Sequence, residues 1–261
     1  MAFVGSSALR IGIVTPSLNQ GRFLRETIES VLKQEYPNLD YWVVDGGSTD
    51  NTREILESYG SRINWISERD DGQAQAINKG LKRIDADVLA FINADDVYLP
   101  GALSRAARYF QAHSDAAWLT GDYFIIDSLG RRVQSYVVAY KRMLRRWPTF
   151  QTLAVANYIV QPSTFWRREL LDEIGLLDES LRYCFDYDFW LRAIMRRPLH
   201  VVFAPLSLFR IHARSKGSSQ FERQFAEEHE VLRRHSSSNL LLGLHRLHAR
   251  LIVCAYRIIK G

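Results

Sequence analysis

The first hundred residues alternate short apolar runs with segments of helical period, a pattern that restricts the fold to a few architectures. The apolar runs are rich in β-branched and aromatic residues, and the intervening segments place apolar side chains three or four residues apart. This repetition predicts an α/β fold with a mostly parallel central sheet and right-handed crossovers. The predicted strands are residues 11–15, 41–44, 63–66 and 88–92, and the predicted helices are residues 24–32, 53–59 and 72–84, with another after Pro100.

Each predicted strand ends in a cluster of polar side chains. The clusters occupy residues 15–19, 45–50, 68–72 and 93–96. Ligands of open α/β sheets bind at the carboxyl ends of the strands, so the four clusters are predicted to converge on one crevice. The sequence therefore predicts a ligand site that is built mainly by the first hundred residues.

The fourth cluster contains two adjacent carboxylates, Asp95 and Asp96, directly after an apolar run. Two like charges repel each other and resist desolvation, so a divalent metal that carries a phosphate ligand would explain the pair. A solvated turn into the helix after Pro100 also explains it, since Asp favours turns and Pro favours the first helical turn. These residues alone leave both interpretations open.

The composition fits a folded chain with one large domain or one and a half ordinary ones. The 261 residues are 47% hydrophobic and carry a formal net charge of +5. This modest basic excess suits a phosphate-bearing ligand or an anionic membrane surface and is too small to indicate nucleic-acid binding. Cys184 and Cys254 form no CxxC motif, so neither a zinc site nor a disulfide framework is expected, and the cytoplasm is the predicted location.

Several protein classes lack their sequence signals here. No apolar run approaches the roughly 18 residues of a transmembrane helix, and no basic segment of a signal peptide precedes the first apolar run. The first loop reads Thr-Pro-Ser-Leu-Asn-Gln-Gly, which is not the Gly-x-Gly-x-x-Gly of nicotinamide-binding Rossmann enzymes. A P-loop is also absent from the sequence. Metal and side chains are therefore the expected phosphate ligands.

Four motifs together resemble the inverting glycosyltransferases of family 2, over about residues 10 to 212. The motifs are Thr-Pro-Ser-Leu-Asn, Val-Val-Asp-Gly-Gly-Ser-Thr-Asp-Asn-Thr, Glu-Arg-Asp-Asp-Gly-Gln-Ala-Gln-Ala-Ile-Asn-Lys-Gly and Asn-Ala-Asp-Asp. The resemblance implies the GT-A fold, a Rossmann-like nucleotide-sugar-binding architecture. Residues 1–215 would form this domain, with a nucleotide-binding half at about residues 10–97 and an acceptor and catalytic half at residues 98–215. Residues 216–261 would form a C-terminal helical extension.

The resemblance also implies roles for individual side chains. One carboxylate of the Asp-Asp pair would bind Mg²⁺ or Mn²⁺ on the donor diphosphate, and a late histidine would complete the metal site. Nearby basic residues Arg210, Arg214 and Lys216 would assist with phosphate. The implied metal ligands are Asp95, Asp96 and His212. The implied donor-binding residues are Thr15, Ser17, Asn19, Asp45, Asp71, Gly72, Asn78, Lys79 and Asp95.

Glycosyl transfer also needs a base, because an acceptor hydroxyl must lose its proton as it attacks the anomeric carbon. By resemblance to the family's motif at the start of a helix, Asp186 is the predicted base. The alternative is that Asp186 and Asp188 cap a helix with a buried apolar face, and for Asp188 we favour this alternative. Trp166 is in a region that faces donor sugar and acceptor in similar enzymes, but a core position is the favoured interpretation.

Three positions depart from the family pattern. Gly46 stands where a second Asp is common, which weakens a contact to the nucleotide base. Asn93 begins the metal motif in place of Asp, which leaves Asp95 and Asp96 to hold the metal. Phe185 stands where Glu precedes the base, which indicates that the role of that Glu in packing or acceptor binding has changed.

The C-terminal region changes character, with a charged helix predicted at residues 221–234 and an amphipathic helix at residues 239–260. The amphipathic helix either folds back on its domain, pairs with another subunit, or binds a membrane monolayer with help from the basic residues of segment 141–146. These alternatives leave homo-oligomerisation and peripheral contact with the inner face of the membrane, through residues 239–261, as open predictions. Its apolar face comprises Leu240, Leu244, Leu247, Leu251, Ala255 and Ile258.

The sequence thus predicts an inverting, metal-dependent glycosyltransferase. It would move a sugar from a nucleoside diphosphate, with UDP as the expected nucleotide, to the hydroxyl of a glycan or lipid-linked acceptor in polysaccharide or glycolipid assembly. Two other classes stay open: a protein that binds nucleotide sugar or glycan without turnover, and a sugar nucleotidyltransferase. The second would need an early glycine-rich basic loop for a triphosphate, and residues 15–22 supply little of it.

Overall fold

The computed structural model describes residues 8–213 and 221–260, so the predicted phosphate ligands Arg214 and Lys216 lie outside the described residues. The strands are β1 (Ile11–Ser17), β2 (Leu39–Asp45), β3 (Asn64–Ser67), β4 (Val88–Phe91), β5 (Val97–Tyr98), β6 (Trp118–Ile126), β7 (Arg132–Val133), β8 (Thr164–Arg167) and β9 (His200–Arg210). The helices are α1 (Gly21–Leu32), α2 (Thr52–Glu57), α3 (Gln73–Leu81), α4 (Ala102–Ala112), α5 (Ser135–Leu144), α6 (Phe150–Val155), α7 (Arg168–Ile174), α8 (Phe185–Arg196), α9 (Phe221–His235) and α10 (Asn239–Lys260).

The strands form one nine-stranded sheet in the order β3-β2-β1-β4-β8-β6-β9-β5, with β7 paired to β6. The first four strands are parallel to one another, as predicted. The short strand β8 then pairs antiparallel with both β4 and β6, and β6 continues in a long parallel pairing with β9. The predicted α/β fold is therefore confirmed, and the second half of the sheet is mixed because β8 joins two parallel regions.

Two glycines determine how helices meet this sheet. A Cβ at Gly80 would lie 2.6 Å from Val14 Cγ1, so the absence of a side chain lets α3 pack directly on β1. Gly175 has φ +78°, a left-handed conformation that glycine adopts readily, and it ends α7 at Ile174. Gly80 thus allows the close contact of α3 with the sheet, and Gly175 fixes the end of α7.

Aromatic side chains fill the core between the sheet and α8. The rings of Trp118 and Trp190 stack with centroids 5.7 Å apart, and Trp166 meets Trp190 edge to face at the same centroid distance. Trp166 is fully buried and therefore belongs to the core, which is the position that the sequence interpretation favoured. It presents no exposed face to a sugar.

The C-terminal helices pack on the second half of the fold. Val231 and Leu232 of α9 are fully buried in the main core, and His245 of α10 packs over α6 with its Nδ1 3.0 Å from the carbonyl oxygen of Ala154. One face of α10 thus folds back on the domain, as one alternative predicted. Among the described residues, no helix is both long and apolar enough to cross a membrane.

Candidate active site

The loops that follow β1 and β2 are joined by hydrogen bonds. The backbone N–H of Gly46 donates to the carbonyl oxygen of Ser17 over 2.8 Å, and the N–H of Asn19 donates to Ser48 Oγ over 2.7 Å. Asn19 Oδ1 in turn accepts from the N–H of Thr49 over 2.8 Å. Asn19 has φ +53°, a conformation that Asn tolerates better than most residues. Asn19, predicted to bind the donor, therefore shapes this loop pair.

Asp45 lies at the centre of the second loop and is fully buried. Its Oδ2 accepts from the N–H groups of Gly47 and Ser48, and from Ser67 Oγ over 2.7 Å. These donors satisfy a carboxylate that would otherwise be costly to bury. Asp45 therefore ties the loops after β2 and β3 together.

Asp70 is a residue of this site that the sequence interpretation missed. Its carboxylate occupies the space beside Gly46, where an added Cβ would lie 2.5 Å from Asp70 Oδ2. Burial raises the pKa of Asp70, and the charges of Asp45 and Asp71 raise it further. The glycine at position 46 thus makes room for a carboxylate from the next loop. The available signal was the adjacent acid pair at residues 70 and 71.

An amide relay joins the third and fourth loops. Gln73 Nε2 donates to Asn93 Oδ1 over 2.7 Å, and Asn93 Nδ2 donates to Asp96 Oδ2 over 3.2 Å. An amide at position 93 can accept one bond and donate the other, whereas a carboxylate can only accept. The relay gives a structural reason for Asn93, which replaces the Asp that is common in the family. Together with the contacts of the first three loops, it confirms that the four strand-end loops converge.

Two of the predicted donor-binding residues make hydrogen bonds within the protein. Thr15 is buried, and its Oγ1 lies 3.0 Å from Tyr41 Oη. Asn78 uses its amide group on the backbone of Leu177, where its Nδ2 donates over 2.9 Å and its Oδ1 accepts over 3.1 Å. Thr15 thus connects β1 to β2, and Asn78 connects α3 to the segment after α7. Ser17 differs, because its buried Oγ has no hydrogen-bond partner among the described residues.

The predicted donor residues on the rim are Lys79, Asp71 and Gly72. Lys79 Nζ lies 2.9 Å from Glu68 Oε1 and lowers the pKa of that carboxyl. Asp71 is exposed, and its carbonyl oxygen accepts from Arg182 Nη1 over 2.9 Å. Gly72 continues this loop into α3. The contact with Arg182 joins the donor side of the crevice to the second half of the chain.

The Asp-Asp pair divides into a buried and a more accessible carboxylate. Asp96 is 1% exposed, and its Oδ1 accepts from the N–H of Arg210 over 2.8 Å. Burial raises the pKa of Asp96 well above its usual value, and the neighbouring charge of Asp95 adds to this. The Asp95 side chain is 17% exposed, and its Oδ2 lies 3.0 Å from His212 Nε2. Asp95 and His212 therefore meet at the crevice, while Asp96 anchors the turn to β9.

The implied metal would take oxygen and nitrogen ligands from this part of the site. Within residues 8–213 and 221–260, no three His, Cys, Asp or Glu side chains are grouped as a metal site. Asp95 and His212 supply an oxygen and a nitrogen donor that suit Mn²⁺ or Mg²⁺, and such ions commonly take substrate phosphates and waters as further ligands. The site thus fits a metal held by two side chains and completed by the diphosphate.

Arg210 has a structural role at this site rather than the predicted contact to phosphate. Its side chain is buried, with Nε donating to the carbonyl oxygen of Asp95 over 2.8 Å and Nη2 lying 2.6 Å from Glu26 Oε2. A further bond reaches the carbonyl oxygen of Asp127. The guanidinium therefore fixes the backbone that carries Asp95.

The predicted base, Asp186, is half-buried at the second position of α8. Its Oδ1 accepts from the N–H of Tyr187 over 2.7 Å. Asp188 does not cap the helix as predicted, since its buried carboxylate lies 2.8 Å from both Arg192 Nε and His235 Nε2. Burial raises the pKa of Asp188, but the bonds from His235 and Arg192 outweigh it and bring the pKa below its usual value.

A second carboxyl group, Glu228 of α9, faces Asp186 and was not identified from the sequence. Glu228 is 5% exposed, and its Oε1 accepts from Gln224 Nε2 over 3.4 Å. Burial raises the pKa of Glu228 to about 7, and the charge of Asp186 contributes to the rise. Burial also lowers the pKa of the neighbouring Lys141 to about 8. Asp186, the predicted base, therefore lies in a cluster to which α5, α8 and α9 each contribute an ionisable group.

Comparison with known proteins agrees with this architecture. A family model described as glycosyl transferase family 2 matches residues 12–175. An uncharacterised glycosyltransferase of Rickettsia prowazekii is 29% identical over 211 residues, which is 78% of this chain. The chain spans 64% of that relative's own length.

Two solved structures share the fold. Residues 1–349 of TarS from S. aureus, in complex with UDP-GlcNAc, align with a TM-score of 0.68 and 21% identity, covering 86% of this chain and 65% of that one. The mannosyltransferase PcManGT from Pyrobaculum calidifontis, in complex with GDP-Man and Mn²⁺, aligns with a TM-score of 0.70 and 16% identity, covering 94% of this chain and 70% of that one. The GT-A architecture, the four loop motifs and the family match lead to one conclusion: the chain belongs to glycosyl transferase family 2.

Proposed function

We propose that this protein is an inverting, metal-dependent glycosyltransferase that moves a sugar from a nucleoside diphosphate to an acceptor hydroxyl. UDP is the nucleotide we expect. The observation that carries the proposal is the set of four strand-end loops, joined by hydrogen bonds, with Asp95 Oδ2 lying 3.0 Å from His212 Nε2 at the fourth loop. The TarS and PcManGT structures, which contain UDP-GlcNAc and GDP-Man respectively, support a nucleotide sugar as the donor class.

Asp95 and His212 are the side chains that we expect to hold Mg²⁺ or Mn²⁺, and Asp96 would act by fixing the turn. The metal, when bound, would neutralise the charge that develops on the leaving diphosphate. The presence of Mn²⁺ in the PcManGT structure supports this choice. The remaining donor residues would shape the pocket and its rim. They are Thr15, Ser17, Asn19, Asp45, Asp71, Gly72, Asn78 and Lys79.

Asp186 is the residue that we expect to accept the proton of the acceptor hydroxyl. As this oxygen forms its bond to the anomeric carbon, the bond from that carbon to the diphosphate oxygen breaks on the opposite face. The configuration is therefore inverted. The proton ends on the Asp186 carboxylate and the negative charge ends on the nucleoside diphosphate.

A panel of nucleotide sugars tests this proposal. With Mn²⁺ present, at least one UDP-sugar should raise the thermal unfolding midpoint, and EDTA should remove most of the increase. Release of UDP in the presence of acceptor separates a transferase from a protein that only binds the donor. A nucleotidyltransferase would instead consume a nucleoside triphosphate and release pyrophosphate. The donor assignment would be contradicted if no nucleoside diphosphate sugar stabilised the protein.

We further propose that the acceptor is a glycan or lipid-linked sugar at the inner face of the cytoplasmic membrane, reached through peripheral contact by α10. Leu240, Leu244, Leu247 and Leu251 of this helix are 71%, 41%, 54% and 61% exposed. Such an apolar stripe beside basic residues suits the interface of a monolayer.

The basic segment 141–146 supports this contact less than its sequence suggested. Arg145 is fully buried, with its Nη2 2.5 Å from Asp122 Oδ1, and Arg142 lies 3.2 Å from the same carboxylate. The exposed leucines are therefore the stronger argument, and they allow a direct test.

Flotation with phosphatidylglycerol vesicles tests the contact. Changing both Leu244 and Leu247 to Gln should remove vesicle binding, whereas the exposed Leu129, on the β6–β7 turn, provides a Gln control. The membrane contact would be contradicted if the wild-type protein did not bind the vesicles. It would also be contradicted if the wild-type protein formed a dimer that the same double variant disrupts.

A further inference from the structure

The segment that enters α8 is held by a carboxylate from the C-terminal extension. Glu227 of α9 accepts hydrogen bonds from the backbone N–H groups of Arg182, Tyr183 and Cys184, over 3.0, 2.6 and 2.8 Å. One side chain thus binds consecutive amides of a segment more than forty residues away along the chain.

This contact supplies acceptors to the N-cap residue of α8 and to the two residues before it. The N-cap residue of α8 is Cys184, whose side chain makes no capping bond. The first N–H groups of a helix and of the residues before it need acceptors, and a negative charge there also interacts favourably with the helix dipole. Cys184 Sγ additionally donates to the carbonyl oxygen of Gln224, one turn earlier in α9, over 3.3 Å.

The same segment contacts the donor side of the crevice. Arg182 Nη1 donates to the carbonyl oxygen of Asp71, while the N–H of Arg182 donates to Glu227. The segment is therefore fixed between the third loop and α9, and Asp186 follows it by two residues.

We propose that Glu227 is a positioning residue that sets the place of Asp186 relative to the donor crevice. The C-terminal extension then forms part of the catalytic machinery without touching the substrate. This inference rests on the proposed function, in which Asp186 is the base.

Removal of the Glu227 carboxylate should leave α9 in place. Val231 and Leu232 anchor this helix in the core, and His235 pairs with Asp188 at 2.8 Å. A change at Glu227 can therefore move the start of α8 without detaching α9. The exposed Glu230, on the same helix and 3.7 Å from Arg233, offers a matched control.

The experiment compares Glu227→Ala, Glu227→Gln and Glu230→Gln in the full chain. In Glu227→Ala, amide hydrogen exchange at residues 182–184 should become faster and kcat should fall by about 10- to 100-fold, because misplacement by about 1 Å costs up to roughly 100-fold. The dissociation constant for the donor should not change. Glu227→Gln keeps an acceptor oxygen and should recover part of kcat, and Glu230→Gln should match wild type.

Two results would overturn the positioning role. Wild-type kcat in Glu227→Ala, despite faster amide exchange, would show that the segment does not position the base. Parallel losses of kcat, donor affinity and thermal stability would indicate a purely structural role. Failure of the proposed function itself is recognised separately, because wild type would then release no UDP from any nucleotide sugar. Failure of the base assignment alone would leave Asp186→Asn as active as wild type, whatever Glu227 does.

Discussion

The site has two regions that are assembled in different ways. The proposed donor side comprises the loops that follow β1, β2, β3 and β4, and the proposed base side surrounds Asp186 at the start of α8. On the donor side, each strand-end loop is tied to the next by side chains of the loop motifs themselves, as in the relay from Gln73 through Asn93 to Asp96. On the base side, the residues around Asp186 come from distant parts of the chain, including Glu227 and Glu228 of α9. Local motifs therefore encode the first region, whereas tertiary packing encodes the second.

The two regions also handle buried charge differently. Asp45 and Asp96 each accept bonds from backbone N–H groups and from neutral side chains of nearby loops. Asp188 instead pairs with Arg192 and lies 2.8 Å from His235 Nε2, and Glu228 faces the charges of both Asp186 and Lys141. Each region also contains one buried acid whose pKa is raised, Asp96 in the first and Glu228 in the second, so we expect both regions to respond to pH.

The largest expected effect is a loss of kcat from a change that affects the base side but not donor binding. Asp186→Asn removes the proton acceptor but leaves the donor crevice intact, so kcat for transfer should fall by about 10²- to 10⁴-fold. Calorimetric titration with the donor and Mn²⁺ should give an unchanged dissociation constant.

Asp172→Asn, on the exposed surface of α7, is the matched control and should retain full transfer. A variant at position 186 that loses donor binding together with transfer would show that the two regions are not separable.

Glu228→Gln tests the expected pH response of the base side. The raised pKa of about 7 means that Glu228 keeps its proton in the folded protein up to about pH 7, while the unfolded chain ionises near pH 4.5. Below about pH 4.5 the folded and the unfolded chain both hold this proton, and the stabilisation is complete. As pH rises through 7 this stabilisation is lost, so the free energy of unfolding should fall by up to about 3 kcal/mol. Asp186 on α8, Lys141 on α5 and Gln224 on α9 are the groups that face it.

Urea unfolding at several pH values measures this loss. Wild type should lose stability between pH 5 and 7.5, whereas Glu228→Gln should give a flatter profile, and Glu230→Gln should follow wild type. Equal slopes in all three proteins would mean that Glu228 is ionised in the folded state.

The contrast between the regions explains how much the sequence could predict. Alternating periods and strand-end clusters predicted the α/β fold and the convergence of four loops, because both depend on neighbours in sequence. The roles of Thr15 and Asn78 could not be assigned in this way. A polar side chain at the edge of a crevice can face a ligand or a neighbouring wall, and only the packing of Tyr41 and Leu177 decides which.

The same limit applies more strongly to the second half. Arg145 was grouped with a basic surface segment, yet Asp122 draws it into the interior. Glu227 and Glu228 occur in a charged helix without a motif, and their partners lie some forty residues or more away. The division at residue 215 between domain and extension stays a prediction, and the packing of α9 on α8 indicates that the two parts act together.

The smallest effect is expected within the donor side, from Asn93→Asp. This change restores a common family residue, but the new carboxylate cannot donate to Asp96 Oδ2 and would lie near a buried acid whose pKa is already raised. The lost bond and the repulsion should lower stability by about 2 kcal/mol at pH 8. The loss should shrink towards pH 4, because a shared proton then relieves the repulsion.

Asn64→Asp is a matched control for this change, since Asn64 Nδ2 donates to Asp40 Oδ1 over 3.4 Å at the exposed edge strand β3. Solvent screening should hold its effect below about 1 kcal/mol. Urea unfolding at pH 4 and pH 8 compares the two variants. If the donor side is held by its own relay, Asn93→Asp should also weaken donor binding while amide exchange at residues 182–184 stays at the wild-type rate. Faster exchange at that distant segment would mean that the relay and the base side form one cooperative unit, and the distinction between the two regions would fail.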